Sequence, residues 1–600
     1  MKLATYELNG KEKWGFVVSD PLKGEDCIIN PQEFEEIKGL LFRPTNFFGM
    51  VKPEFIGKGN EWPGELVQFL EMGSDGMEKL RKMESFVKMF IERQDVFMLS
   101  SIMHPVSSVR MKAPIPRPRL YWGLVQNCPS FFRENPKRQF VNLFCQGHQR
   151  TQAACTGYNG KMIFYNGNKS FPAAFTCEMG VVIGKYGKSI PAEKALDYVC
   201  GYTNVIDATC NPVKADYGDR MGSDWYIDAT GDWIGKLNDT MGAMGPYITT
   251  KDEISNPYDL LSESRQNGRY RDRGFSGELI LGIERTIEFY SSFAALHPGD
   301  VIHLGSMQAD GMLLTREMSY GKDDSVEVEI EKLGAMRVQF LNPEDNDWRS
   351  DDDVTLIHRS DAVRDLIVSG NSELHSVSDF DSEEVRHFWT AFANYQSAES
   401  DEGLIRVEDI PRMLNNPGRA VSSHGNGALS QRCKSVKVGI ELCAVVKKLA
   451  CNVSEEAAED YILGYSPLVS INDQSFNDLV VREHSTPQER IVPSIYARWG
   501  DGYNVILDKP VKLSEADIGD LPMTLTVDGV GSAEANTSDY IVKPAKMLSR
   551  LSKYLTLFPG DVISLGRTRF LVDIPEEIVH NGFAGTATID GIGKIDFSFK

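Results

Sequence analysis

Apolar and polar positions run through the same order twice along the chain. TCEMGVVIGK (176–185) and GIELCAVVKK (439–448) each set one glutamate, Glu178 or Glu441, against an apolar β-branched run. That pattern predicts a short buried strand with a carboxylate at its mouth. KSIPAEKALDYVCGY and CNVSEEAAEDYILGY follow, each with a polar start and apolar residues at helical spacing (Ala195 and Val199, Ala458 and Ile462). With acidic residues early, where the helix dipole favours them, each predicts a helix. LILGIERTIEFYSSF and KPAKMLSRLSKYL predict amphipathic helices, and each leads to a Pro-Gly-Asp turn and a strand, ALHPGDVIHLG and TLFPGDVISLG. Both copies end on matching segments, EIEKLGAMRVQF and TIDGIGKIDFSF. Glu178 and Glu441 lie 263 residues apart, as do Tyr202 and Tyr465; Gly299 and Gly560 lie 261 apart, Gly334 and Gly593 259 apart. An offset this steady over several elements defines two copies of one α+β unit.

At 600 residues the chain exceeds what one hydrophobic core organises. The expected division is a small N-terminal domain over 1–112, a first repeat over 113–343, a linker with a small preface over 344–384, and a second repeat over 385–600. MKAPIPRPRL, rich in proline, stiffens the first junction. Hydrophobic residues make up 42% and charged residues 25%, as in soluble globular proteins, and the net charge is −21. An acidic chain has no counterion-release drive toward nucleic acid and no attraction to anionic membranes. Ten cysteines without a CxxC pair fit reduced, buried thiols in a cytoplasmic protein. The N-terminal stretch lacks the apolar core of a secretory signal, and no apolar run is long enough to span a bilayer.

The ordered segments EMGVVIGK, ALDYVCGYTNVID, DWIGKLNDTMGAMGP, TTKDEISNPYDL, QNGRYRDRGFSGELILGIE and LHPGDVIHLG resemble the fumarylacetoacetate hydrolase family. The likeness covers about 120–340 well and about 385–600 more weakly. MKLATYELNGKEKWGF resembles the small N-terminal domain of such proteins, and the doubling resembles two-repeat members. The resemblance implies an α+β fold of two mixed β-rolls with small α/β prefaces. It implies an internal pseudo-dimer, which could assemble further into homo-oligomers, and a divalent cation, Mg²⁺ or Mn²⁺, holding a keto-acid or diketone substrate.

The family's metal set is Glu-x-Glu on one strand plus a distant Asp. Alternation puts both glutamates on one face, and oxygen ligands suit Mg²⁺. Here Glu178 and Asp207 match, while Thr176 stands in the first Glu position; the second repeat has Glu441, Gly439 and, after an assumed three-residue insertion, Asp473. The family's W-x-G-K-x-x-D motif is present as Trp233, Gly235, Lys236 and Asp239, against Arg498 and Asp501 in the second repeat. Lysine there implies a point charge that holds the substrate carboxylate or stabilises an enolate. This points to the first repeat as the chemical site and the second as scaffold. The lid pattern N-Y-x-x-H-x-x-E keeps Asn127 and Glu134 but has Phe131 for its histidine; the second copy reads Asn394, Ala398 and Asp401. That leaves Glu134 to move a proton. The substrate motif is changed to Asn267, Gly268, Asp272 and Ser276. The resemblance thus sets Thr176, Trp233, Asn267 and Ser276 about the substrate, and Glu134, Lys236 and Asp239 in catalysis.

Taken alone, Trp225 and Trp233 read as packing residues, Cys177 as core opposite Glu178, and His148 and Arg150 as ordinary loop residues. GYNGK and YNGNK read as hairpin turns. The implied reaction is C–C hydrolysis or decarboxylation of a 1,3-dicarbonyl or 2-keto acid through an enolate. Isomerisation or hydration, or a metal-free ligand-binding role, are the alternatives.

Overall fold

The computed structural model describes residues 1–20, 24–41, 62–93, 96–125, 127–128, 145, 147–163, 174–209, 235–307, 324–341, 376–391, 394–395, 413–479, 495–568 and 571–600. Each repeat is a large mixed sheet packed on a five-stranded sheet. In the first repeat the central strands run Gly242–Thr250, Val199–Thr209, Ala174–Ile183, Val301–Ser306, Tyr121–Leu124 and Gly147–Gln149. In the second, the corresponding order is Asn504–Ile506, Ile462–Asp473, Val436–Val446, Val562–Ser564, His387–Ala391 and Met413–Pro417. The five-stranded sheets also share one strand order. The amphipathic helices form as expected, at Ile283–Ser291 and Pro544–Tyr554.

The segment expected as a small N-terminal domain continues the first sheet. Lys2 and Leu3 pair with Thr249 and Ile248, and three more strands follow outward. Its core is shared with the repeat, where Phe16, Ile29 and Phe69 pack with Val182, Val205 and Ile248.

Two local expectations are corrected. The stretches over 188–202 and 451–465 are not α-helices: short 3₁₀ turns, Ala192–Tyr198 and Ala458–Tyr461, run straight into strands at Val199 and Ile462. Their Tyr, Val and Ile residues suit a pleated surface better than a helix. Glu178 also lies inside a ten-residue strand, Ala174–Ile183, not at its mouth. Alternation sends Phe175, Cys177, Met179, Val181 and Ile183 into one core and turns Thr176 and Glu178 to the other face.

The repeats exchange residues across their contact. Leu237 packs in the second repeat's core, and its counterpart Trp499 packs in the first, with Tyr496, Phe293 and Tyr290. Asp239 accepts hydrogen bonds from Thr556 N (2.9 Å) and Oγ1 (2.7 Å). Its counterpart Asp501 accepts one from Ala295 N, at 2.9 Å. Asp239, expected in catalysis, therefore has both carboxylate oxygens engaged at the repeat contact. Thr556→Val keeps the amide bond and removes the hydroxyl. It is expected to cost about 1–3 kcal/mol in urea unfolding of the full chain, because Asp239 is fully buried.

Candidate active site

The site is built where three strands of the first sheet meet two short segments leaning on the second repeat. Glu178 and Asp207 come from adjacent antiparallel strands whose register sets Thr176 opposite Asp207. On the other side of the Glu178 strand, Val301–Ser306 contributes His303, paired with Gly180. Lys236 follows the WxG motif, and His148 and Arg150 come from the Gly147–Gln149 strand and its end.

Glu178 is 2% exposed and holds three partners. Thr176 Oγ1 donates to Oε1 (2.9 Å), Gly305 N donates to Oε2 (3.0 Å), and His303 Nδ1 lies 2.5 Å from Oε2. Gly305 reaches this with φ +84°, a left-handed conformation that favours glycine. Burial works against Glu178's charge, but His303, Lys236 and Thr176 outweigh it and hold the carboxyl below its ordinary range. Burial also pushes the His303 imidazole down, so the pair is a carboxylate and a neutral ring. Nδ1 then carries the proton it gives to Glu178, and Nε2 has no hydrogen-bond partner among the described residues.

Asp207 is bracketed by cations. Lys236 Nζ lies 2.6 Å from Oδ2, and the Arg150 guanidinium sits against Oδ1. Arg150 is fully buried and is itself held by the Lys236 (2.5 Å) and Ala208 (3.2 Å) carbonyls. Burial pulls its pKa down to about 10, leaving it charged at neutral pH. His148 Nε2 stands 3.9 Å from Asp207 Oδ1, and neither ring nitrogen has a hydrogen-bond partner among the described residues. Burial and the neighbouring Arg150 and Lys236 charges hold His148 well below its ordinary range.

Glu178, Asp207 and Lys236, expected from three distant segments, are thus brought together, with Thr176 beside them. Asn267 is not part of this cluster: it sits in an exposed hairpin turn (φ 51°) bonded to Ser325 and Asp324. Ser276 is buried and accepts the Leu260 N–H, as Thr537 does for Leu521 in the second repeat. Asn127 ties Leu304 to Leu281, and Asn394 does the same for Leu565 and Val542. Glu134, Phe131, Trp233, Trp225, Ala398 and Asp401 lie outside the described residues. His148 and Arg150, read from sequence as ordinary loop residues, are buried site residues. His303 was not singled out by sequence, although HLGSM against SLGRT sets a histidine where the second repeat has Ser564.

The second repeat has lost the set. Its strand register places Ser470, not Asp473, opposite Gly439. No insertion intervenes before that point; Asp473 pairs with Val436 three residues on and hydrogen-bonds Ser475. Ser564 stands where His303 does, and Leu414 and Asn416 where His148 and Arg150 do. Arg498, the counterpart of Lys236, points into Glu441, with Nη1 3.0 Å from Oε1. Glu441 is fully buried, and Ser564 Oγ also donates to it. An arginine thus fills the place beside the one surviving carboxylate.

The segment that carries His148 and Arg150 is propped from the second repeat. Tyr496 donates to Cys145 O (2.8 Å), Asn415 to Gln149 O (3.2 Å), and Gln152 N donates to His387 Nε2 (3.2 Å). His387 and His148 are both buried and held neutral, His387 down to about 3. A histidine whose folded pKa is depressed binds its proton in the unfolded chain first. Stability is therefore expected to fall as pH drops below about 6.5, by about 1.4 kcal/mol per pH unit for each such ring. His148→Leu, which copies Leu414, is expected to flatten a urea-midpoint profile between pH 7 and 5 by one ring's worth.

The chain matches the family described as fumarylacetoacetate (FAA) hydrolase C-terminal over residues 130–341 and again over 387–599. Among curated proteins it is 35% identical over 162 residues to "Maleylpyruvate hydrolase" of Aquipseudomonas alcaligenes, covering 27% of this chain and 48% of that one. It is 27% identical over 274 residues to "Oxaloacetate tautomerase Fahd2a, mitochondrial" of Rattus norvegicus, covering 46% of this chain and 79% of that one. The chain thus spans about half the length of the first of these relatives. Among solved structures it is similar to maleylpyruvate hydrolase from Sphingobium sp. SYK-6 in complex with manganese (II) ion and pyruvate. That likeness has 18% identity, covers 57% of this chain and 99% of that chain, and has a TM-score of 0.39. With the family matched in both halves, the chain belongs to the fumarylacetoacetate hydrolase family as a tandem duplication.

Proposed function

We propose that the first repeat is an enzyme acting on a 2-keto acid or 1,3-dicarbonyl through a stabilised enolate, with C–C bond hydrolysis or decarboxylation as the outcome. The observation that carries this is the convergence of Glu178, Asp207 and Lys236 in one buried cluster with Arg150, His148 and His303. The residues fit a divalent cation: Glu178, Asp207 and His303, all buried, each present a ligand atom, and these atoms lie within 4.8 Å of one another. Bound there, Mg²⁺ or Mn²⁺ would act as a Lewis acid on the substrate's carbonyl oxygen. Lys236 and Arg150 supply fixed positive charge where the enolate's negative charge develops, in a site with little water to screen it. His148, neutral and unpartnered among the described residues, is placed to accept a proton; Glu134 in the lid segment is the second candidate for that role.

Charge narrows the substrate. Among the described residues the two carboxylates balance Lys236 and Arg150. A divalent cation adds two positive charges, which a substrate with two carboxylates neutralises. Isomerisation or tautomerisation uses the same enolate and differs only in whether water attacks. A metal-free ligand-binding role is the second reading, favoured by Thr176 in a ligand position and by two cations already on Asp207. The test is turnover of a panel of acylpyruvates and keto-dicarboxylates with added Mn²⁺, followed by loss of enol absorbance. Turnover abolished by Glu178→Gln supports the enzyme. No turnover across the panel, or turnover indifferent to Glu178→Gln, overturns it.

A further inference from the structure

We infer that His303 is the third metal ligand of the first repeat, taking the role left open by Thr176, and that it shifts the site from Mg²⁺ toward cations that accept nitrogen. This rests on the metal reading above and goes beyond it in naming the ligand and the class of cation.

The first argument is position. His303 reaches Glu178 from the neighbouring strand, Nδ1 to Oε2 at 2.5 Å, with its ring fully buried. There Nδ1–H donates a hydrogen bond to the Glu178 carboxylate. A cation held by Glu178, Asp207 and His303 would take the place of that hydrogen, and the ring would carry its hydrogen on Nε2 instead and stay neutral.

The second argument is the space made for the ring. A Cβ on Gly123 would lie 1.9 Å from His303 Cε1, so the ring occupies volume that only glycine leaves free. Gly123 and His303 are paired across two parallel strands. At the same pairing in the second repeat stand Thr390 and Ser564. The first repeat thus pairs glycine with histidine where the second pairs a larger residue with serine, and the second repeat sets Arg498 against its carboxylate. The histidine and the room for it thus occur in the repeat that retains Asp207, and both are gone from the repeat that does not.

The third argument is chemical. Thr176 Oγ1 donates to Glu178 and cannot offer the charged oxygen of a glutamate. Two carboxylates and an imidazole suit Mn²⁺, Fe²⁺, Co²⁺ or Zn²⁺, whereas Mg²⁺ prefers all-oxygen surroundings.

The experiment is Mn²⁺ binding to the full chain, read by electron spin echo modulation with ¹⁴N- and ¹⁵N-histidine-labelled protein, which reports a directly bound nitrogen without any turnover. The expected result is a histidine nitrogen coupling in wild type that vanishes in His303→Ser, with Mn²⁺ affinity about 10–100-fold weaker and the preference for Mn²⁺ over Mg²⁺ reduced. The double variant Gly123→Thr/His303→Ser copies the second repeat's packing and keeps the test readable if the single variant leaves an unstable void. His148→Leu should keep the coupling. Mn²⁺ bound without nitrogen coupling, or coupling lost in His148→Leu and kept in His303→Ser, overturns the assignment of His303 while leaving a metal site. No Mn²⁺ binding at all overturns the metal reading itself.

Discussion

Lys236→Met is expected to lower turnover by about 10²–10³-fold, the usual cost of deleting one preorganised charge at a developing oxyanion, and to leave the fold intact. The fold survives because Lys236 is half-buried on a long stem and Asp207 keeps Arg150, so no buried carboxylate is stranded. The loss should fall mainly on kcat if Lys236 meets charge that appears only in the transition state, and on KM if it holds a ground-state carboxylate. Steady-state kinetics with a circular dichroism check separates these. Turnover within twofold of wild type would remove Lys236 from the chemistry.

The same change at the matching position of the other repeat should give the opposite phenotype. Arg498→Met is expected to destabilise the chain by about 3–5 kcal/mol, because it leaves the fully buried Glu441 without its cation. Ser564 would remain as a hydrogen-bond donor, which does not replace a full charge. Turnover per folded molecule should change little. Glu441→Leu added to Arg498→Met should restore most of the stability, since removing both members of a buried pair is often near neutral. Urea unfolding of the three proteins measures this; a loss below about 1 kcal/mol for the single variant would overturn the account. Arg498 itself is held below its ordinary range by burial, so the pair is held in the protein at a real desolvation cost.

The repeat was legible in the sequence because turns, caps and helix faces recur at a nearly fixed spacing, and these local signals need no tertiary knowledge. Glu178, Asp207 and Lys236 were legible because each sits in a short motif. The rest depended on register between strands distant in the chain. Asp473 matches Asp207 only through an assumed insertion, and pairing puts Ser470 opposite Gly439. His303 acquires meaning only beside Glu178 and Gly123, which are 125 and 180 residues away. Arg150 and His148 lie in a segment with no strong periodicity, fixed by bonds from the second repeat. Asn267 followed the family motif but belongs to a hairpin tip, where Asn-Gly satisfies turn geometry and nothing more.

The crossed contacts between repeats, Asp239 to Thr556 and Asp501 to Ala295, have a consequence for how such a chain can change. Two identical subunits meeting this way carry every substitution twice, so a harmful change in one site is a harmful change in both. Joined in one chain, the halves mutate separately while still bracing each other. The second half is therefore free to carry Ser470, Ser564 and Arg498 where the first has Asp207, His303 and Lys236. It could do so as long as Tyr496, Asn415, His387 and Thr556 went on holding the first half's loops. If the proposed function holds, one substrate bound per chain, not two, is the expected stoichiometry.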